Sequence, residues 1–321
     1  MNPRWRHGVR AVLTVAIVWV VIASLPSGSL RSALAEASPA ILAVAFVVHF
    51  FAHMVAALKW RMLIGPDVEL SAATAFKAQF SGLMGNISPV GVIGGDIIRA
   101  SVAISESGRA ATIMISSVVD RIVDTTALLI LTVIGLLLIH GGSEVITPAL
   151  RGGLPLFATG LVLAGIALVW MWRTTSSRFT RVREASRMFV ERPWLIARAL
   201  LLSVLVQGTF VWASAYIGRA VGVECLFSAW LVAWPASKLI AYVPISIAGI
   251  GVRESALIAL LGPFGGAPGS VMAAGLLWQL VFVSGALVGW LGWSVLPGLG
   301  PSALRRSQEP CDRLSSGRHV S

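Results

Sequence analysis

Charge is scarce in this chain, and acid scarcer than base. Only 12% of its 321 residues are Asp, Glu, Lys or Arg, against about a quarter in a soluble domain. With 56% hydrophobic residues and a mean hydropathy of +0.84, that excludes a soluble globular protein. No stretch is long and polar enough to form a second, soluble domain, so residues 1–300 read as one polytopic transmembrane domain. Its halves are about 1–150 and 151–300, and 301–321 read as a polar, disordered cytoplasmic tail. Cysteine is nearly absent: Cys225 and Cys311 fall on opposite sides of the membrane in the topology below and should not pair. Catalytic signatures are missing as well, with no nucleophile–base pair, P-loop or dinucleotide fingerprint. No catalytic residue is assigned, and no cofactor is expected.

What charge there is leans positive, at +11 net. The arginines sit in short loops beside apolar runs, which is the positive-inside pattern and makes anionic lipid the nearest partner. No basic patch lies away from the flanks of spans, so nucleic acid is not expected as a partner.

Six runs are long enough to cross a bilayer at about 20 residues each: 9–26, 39–58, 111–139, 153–172, 195–222 and 270–296. Basic clusters fall at Arg4, Arg6 and Arg10, at Lys59 and Arg61, between Arg173 and Arg192, and after Arg305. The segments 27–38, 140–152 and 263–269 are poor in base. Both termini are therefore expected in the cytoplasm, with the protein multi-pass in the cytoplasmic membrane. An Arg-rich start, an apolar run and Ala33-Leu34-Ala35 resemble a signal peptide, but the small residues lie well past the run's end, so the first span reads as uncleaved.

Two further apolar regions, 70–104 and 226–262, are interrupted. The first break runs Ser88-Pro89 through Gly94-Gly95-Asp96 to Arg99, and the second runs Pro244 through Gly249 and Gly251 to Arg253-Glu254. Lys59 and Arg61 are placed inside and Arg151 outside, with one full span between them. The region 70–104 must then enter and return on the cytoplasmic side, and by the same count 226–262 on the outer side. The expected fold is all-α: six transmembrane helices plus two re-entrant helical hairpins arranged as an inverted repeat. Paired interruptions in two halves of a membrane chain point to a transport site.

Each break places charge where it is costly. Pro89 and the glycines are expected to end one half-helix, and a second to begin near Asp96, exposing backbone N–H groups that favour an anion. Asp96 and Arg99 share a helix face and can pair or divide a zwitterionic headgroup. The alternative is a hairpin turn with a self-satisfied ion pair. Arg253 and Glu254 are adjacent and are expected to diverge, each needing its own partner. The span 111–139 carries Asp120, Arg121 and Asp124 near mid-bilayer. One arginine cannot neutralise two carboxylates, so one acid either titrates or faces another cation such as Lys77, Lys238 or Arg253. The alternative is a charged clamp between helices. Lys77 and Lys238 lie on the entering arms of the hairpins, where snorkelling is the competing role, more so for Lys77. His49 and His53 have a metal-binding spacing but no convincing third ligand, so they read as a polar interhelical contact and no metal is assigned.

Together these residues resemble the transmembrane-region family of lysylphosphatidylglycerol synthase/flippase, which takes in many stand-alone membrane proteins, some associated with hopanoid or dolichol-linked glycan pathways. The matching elements are Lys59-Trp60-Arg61, Ser88-Pro89 through Gly94-Gly95-Asp96 with Arg99, Asp120-Arg121 with Asp124, and Pro244 through Gly249-Ile250-Gly251-Val252-Arg253-Glu254. Ala248 departs from the family's usual second glycine. The resemblance implies a membrane protein related to a lipid flippase, with a site between two re-entrant elements. The soluble domain that makes the lipid in the aminoacyl-lipid enzymes is expected to be absent, so the chain should not synthesise lysylphosphatidylglycerol by itself. The residues expected to bind substrate are Asp96, Arg99, Asp120, Arg121, Asp124, Lys238, Arg253 and Glu254. The expected ligand is an anionic or lipid-linked headgroup. Two other readings stay open: a membrane-embedded transferase on a polyprenyl- or phospholipid-linked substrate, and a non-catalytic partner of a biosynthetic enzyme.

Overall fold

The computed structural model describes residues 37–66, 68–87, 91–139, 191–241 and 251–295. The expected spans 9–26 and 153–172, the Ala33-Leu34-Ala35 segment, Pro89, Pro244, Ala248, Gly249, Cys311 and the tail 301–321 lie outside the described residues, as do the basic clusters before Arg192 and after Arg305.

Among the described residues there are eight α-helices: α1 (Pro39–Ile64), α2 (Ala72–Asn86), α3 (Gly91–Ser107), α4 (Ala110–Leu138), α5 (Pro193–Ala220), α6 (Phe227–Ile240), α7 (Val252–Leu261) and α8 (Pro268–Val295). Four of them, α1, α4, α5 and α8, are long and apolar enough to cross a membrane. They correspond to four of the six expected spans, and the protein is an integral membrane protein. Local sequence sets their ends. Ser38 caps α1 by accepting from the Ala40 N–H at 3.3 Å, with Pro39 in the first turn. Ser71 caps α2 through the Thr74 N–H at 3.0 Å. Pro193 opens α5.

Helix α1 runs antiparallel to α4 and α5. Leu63, near the end of α1, shares a core with Leu195 and Ala199 at the start of α5, and its carbonyl accepts from Ser116 near the start of α4 at 3.2 Å. The outer ends of α2 and α3 meet at this same end of the bundle. Trp60, Ile64, Leu70, Ala75, Ala103 and Ile113 form one core there, and Thr74 donates to Glu106. The outer ends of α6 and α7 meet at the opposite end. There Val221, Val223, Leu261 and Val271 pack together, and the Cys225 thiol donates to the Phe264 carbonyl at 3.4 Å. The short helices of 15, 17, 14 and 10 residues reach about 25 Å at most, short of the bilayer's apolar thickness.

Two expectations about element boundaries need correction. α1 runs past residue 58 and carries Lys59 and Arg61 within it, because Lys59 finds ionic partners inside the bundle rather than ending the helix at the water. α3 begins at Gly91, so Gly94, Gly95 and Asp96 lie inside it rather than at its start. The glycines are not needed to break the chain here. Gly95 lets α3 close on α2: a Cβ at that position would stand 1.8 Å from the Asn86 side-chain oxygen and 2.4 Å from the Gly82 carbonyl.

Candidate functional site

The helices converge on one cavity of about 170 Å³. It is lined by Asp96 and Arg99 of α3, Asp120, Arg121 and Asp124 of α4, Lys238 of α6 and Arg253 of α7. Residues of both interrupted regions and of an intact span thus face one space.

The charges form a connected chain. Asp96 accepts from Arg121 through both carboxylate oxygens, at 2.6 Å from Nε. Arg99 Nη2 stands 3.8 Å from Asp96 Oδ1, the oxygen that also accepts from Arg121 Nη2, so the expected i, i+3 pair exists but is the looser of the two. Arg99 donates from Nη1 to Asp120 at 2.9 Å and stacks over Trp60, with its guanidinium carbon 4.6 Å from the ring centroid. Lys59 then bridges Asp120, at 2.9 Å, and Asp124. Ser203 of α5 closes the chain, donating to Asp124 at 2.7 Å. Lys59 is 1% exposed. Such a linkage is tolerable in an apolar interior because each charge faces opposite charge and hydrogen-bond donors.

The cation that completes Asp120 and Asp124 is therefore Lys59, joined by Arg99, and not Lys77, Lys238 or Arg253. Lys77 sits 3.8 Å from Glu106 at the base of the α2–α3 pair and does not line the cavity. Lys59 was legible only as a loop flank, since one basic residue at the end of an apolar run looks the same whether it faces water or an acid.

The second charged region also differs from expectation. Arg253 and Glu254 do not diverge; they pair, with Nη2 2.5 Å from Oε1. The reason is local. Gly251, at φ 85°, is the N-cap of α7, and Glu254 folds back to accept its N–H at 2.7 Å. That brings the carboxylate beside the long Arg253 side chain, which also donates to the Gly275 carbonyl at 3.2 Å and lies over Trp234. Glu254 is fully buried and stands behind Arg253 rather than in the cavity. Seven of the eight expected site residues line the cavity; Glu254 supports one of them.

Lys238 donates to Gln207 at 2.8 Å and stands 5.2 Å from the Phe210 ring centroid. His49 and His53 line the cavity from α1, with the His53 ring nitrogen 3.3 Å from Gln79 of α2. Among the described residues no cluster of three metal-ligating side chains occurs. The lining that motif reading missed follows helical spacing: Gln79, Gly82, Leu83 and Asn86 form one stripe of α2, and Trp234 shares the face of α6 that carries the expected Lys238.

A family model described as the lysylphosphatidylglycerol synthase TM region matches residues 9–289. The chain belongs to that family. None of the curated proteins compared with the chain matches it. The family's region contains every residue of the ionic chain and both interrupted regions, so the cavity is built wholly within it.

Proposed function

We propose that this protein translocates a phospholipid or lipid-linked headgroup across the cytoplasmic membrane, with its termini in the cytoplasm. The observation that carries the reading is the convergence of seven ionisable residues from both interrupted regions and a spanning helix on one cavity. In this reading α2–α3 and α6–α7 are re-entrant hairpins of an inverted repeat. Their bases at opposite ends of the helix bundle support that arrangement, and their short helices suit elements that enter and return.

The headgroup would occupy the charged cavity at mid-depth while its acyl chains stay in lipid. Rocking of one half against the other would open the site to each face in turn. The ionic chain suits such motion because it crosses helices: Lys59 on α1, Arg99 on α3, Asp120 on α4 and Ser203 on α5 are exchangeable partners. The test is transfer of labelled lipid between leaflets of proteoliposomes. Transfer is expected with the wild-type chain and loss of most of it in Asp96→Ala and Arg253→Ala. Unchanged transfer in both variants overturns the reading.

A further inference from the structure

The carboxylates of this site are engaged, whereas part of its cationic and N–H surface is not. Asp96 is held by Arg121, Asp120 by Arg99 and Lys59, Asp124 by Lys59 and Ser203, and Glu254 by Arg253 and the Gly251 N–H. Lys238 has no carboxylate within 4 Å among the described residues; its ammonium has an amide and an aromatic face, and Asp124 across the cavity acts on it only at longer range. Nor can the undescribed apolar segments supply an acid, since 9–26, 153–172 and 242–250 contain no Asp or Glu.

Around Lys238 the unmet polar groups are mostly donors. The indole N–H of Trp234, one helical turn before Lys238 and 2% exposed, has no acceptor among the described residues, and neither has the amide nitrogen of Gln279. Both line the cavity, as does Arg253, which lies over Trp234 and 3.4 Å from the Gln279 amide oxygen. The unmet acceptors are Asn86, packed toward Gly95, one Asp120 oxygen 2.9 Å from the Lys59 ammonium, and one ring nitrogen of His49, whose other nitrogen adds a further unmet donor to the lining. A buried cation beside unsatisfied donors is costly in an apolar interior unless an acceptor of negative charge fills the gap.

We propose that Lys238, with the Trp234 and Gln279 N–H groups and the Arg253 guanidinium, forms an anion subsite that receives a phosphate oxyanion. It follows, on the translocator reading above, that the site selects headgroups of net negative charge and disfavours headgroups capped by an amino-acid cation, for which no free carboxylate is on offer. The same chemistry could be met by the phosphodiester of a lipid or by free phosphate.

The experiment is equilibrium binding to the purified full chain in neutral detergent, using dioctanoyl phosphatidylglycerol, its cationic lysyl ester and inorganic phosphate as probes. Phosphatidylglycerol is expected to bind at least about tenfold more tightly than the lysyl ester. Lys238→Gln is expected to weaken it by about tenfold or more, the scale of one charge-assisted hydrogen bond, and Lys238→Arg to retain most of the affinity. Lipid binding that inorganic phosphate does not displace supports a lipid phosphodiester as the ligand; displacement at matched affinity supports the free ion. Equal or tighter binding of the lysyl ester overturns the proposal, as does unchanged affinity in a Lys238→Gln protein of wild-type melting temperature. Binding selectivity without leaflet transfer refutes the translocator reading and leaves the anion subsite standing.

Discussion

Replacing Lys59 with methionine keeps most of the side-chain volume and removes one charge from the middle of the ionic chain. Asp124 then keeps Ser203 as its hydrogen-bond donor, and Asp120 keeps Arg99. Both lose the ammonium that lies between them. Removing one partner of a buried ion pair costs about 3–5 kcal/mol, because the charge left behind remains desolvated. For a chain of this size that lowers the melting temperature by about 6–10 °C, at about 2 °C per kcal/mol. The assay is thermal unfolding of the detergent-solubilised protein, followed by loss of the monodisperse elution peak. The double variant Lys59→Met/Asp124→Asn removes the stranded charge and should recover at least half of the loss, a coupling that independent sites do not show. If Lys59 were only a loop flank at the membrane surface, the single variant would melt within about 1 °C of wild type, as surface substitutions do. That result, or strict additivity in the double variant, would refute the bridging role.

Gly95→Ala forces a methyl onto Asn86 and the Gly82 carbonyl and should cost about 1–3 kcal/mol, typical of overpacking. Gly208→Ala, in α5 with no atom within 4 Å of the added carbon, should melt at or above wild type; equal losses in the two variants would show that helix contact at Gly95 is not what matters. Arg253→Ala strands the fully buried Glu254 and should destabilise by about 3 kcal/mol, with Glu254→Gln in the same background restoring part of it; additive melting losses would count against the pair. Cys225 is buried in the connection between α5 and α6, and burial pushes its thiol above the usual range, leaving less thiolate at neutral pH than in the unfolded chain. In a Cys311→Ser background, maleimide should label it at least about tenfold faster after denaturation than before, and comparable rates in both states would rule out the buried placement.

Four of the six expected spans were legible because apolar length alone specifies them, and Asp120, Arg121 and Asp124 stood out because three ions inside an apolar run are costly without partners. The joint lining of the cavity by Asp96, Arg99, Lys238 and Arg253 follows the sequence reading of two related interruptions. What could not be read was pairing. Arg121 was read with the acids on its own helix, yet it faces Asp96 of α3, a choice made by helix rotation that spacing along one segment does not determine. Arg253 and Glu254 were expected to diverge because ideal helical geometry separates neighbours by about 100°. The first turn of α7 escapes that rule, since Glu254 bends back to cap Gly251 and its neighbour's long side chain follows it.

These differences reassign the chemistry of the two breaks. The first break lies within the connected chain of ions, in which Asp96 already faces Arg121 and Arg99, and Arg99 already faces Asp120. The second holds a paired arginine whose acid partner is withdrawn from the cavity, next to a lysine that has no acid within salt-bridge distance among the described residues. A bound anion would therefore sit nearer α6 and α7, and the ionic chain around Asp120 would hold α1, α3, α4 and α5 together beside it. Neutralising Lys238 should then reduce ligand affinity with little change in melting temperature, and neutralising Lys59 should lower melting temperature first. Opposite outcomes for the two lysines would require the roles of the two faces to be exchanged.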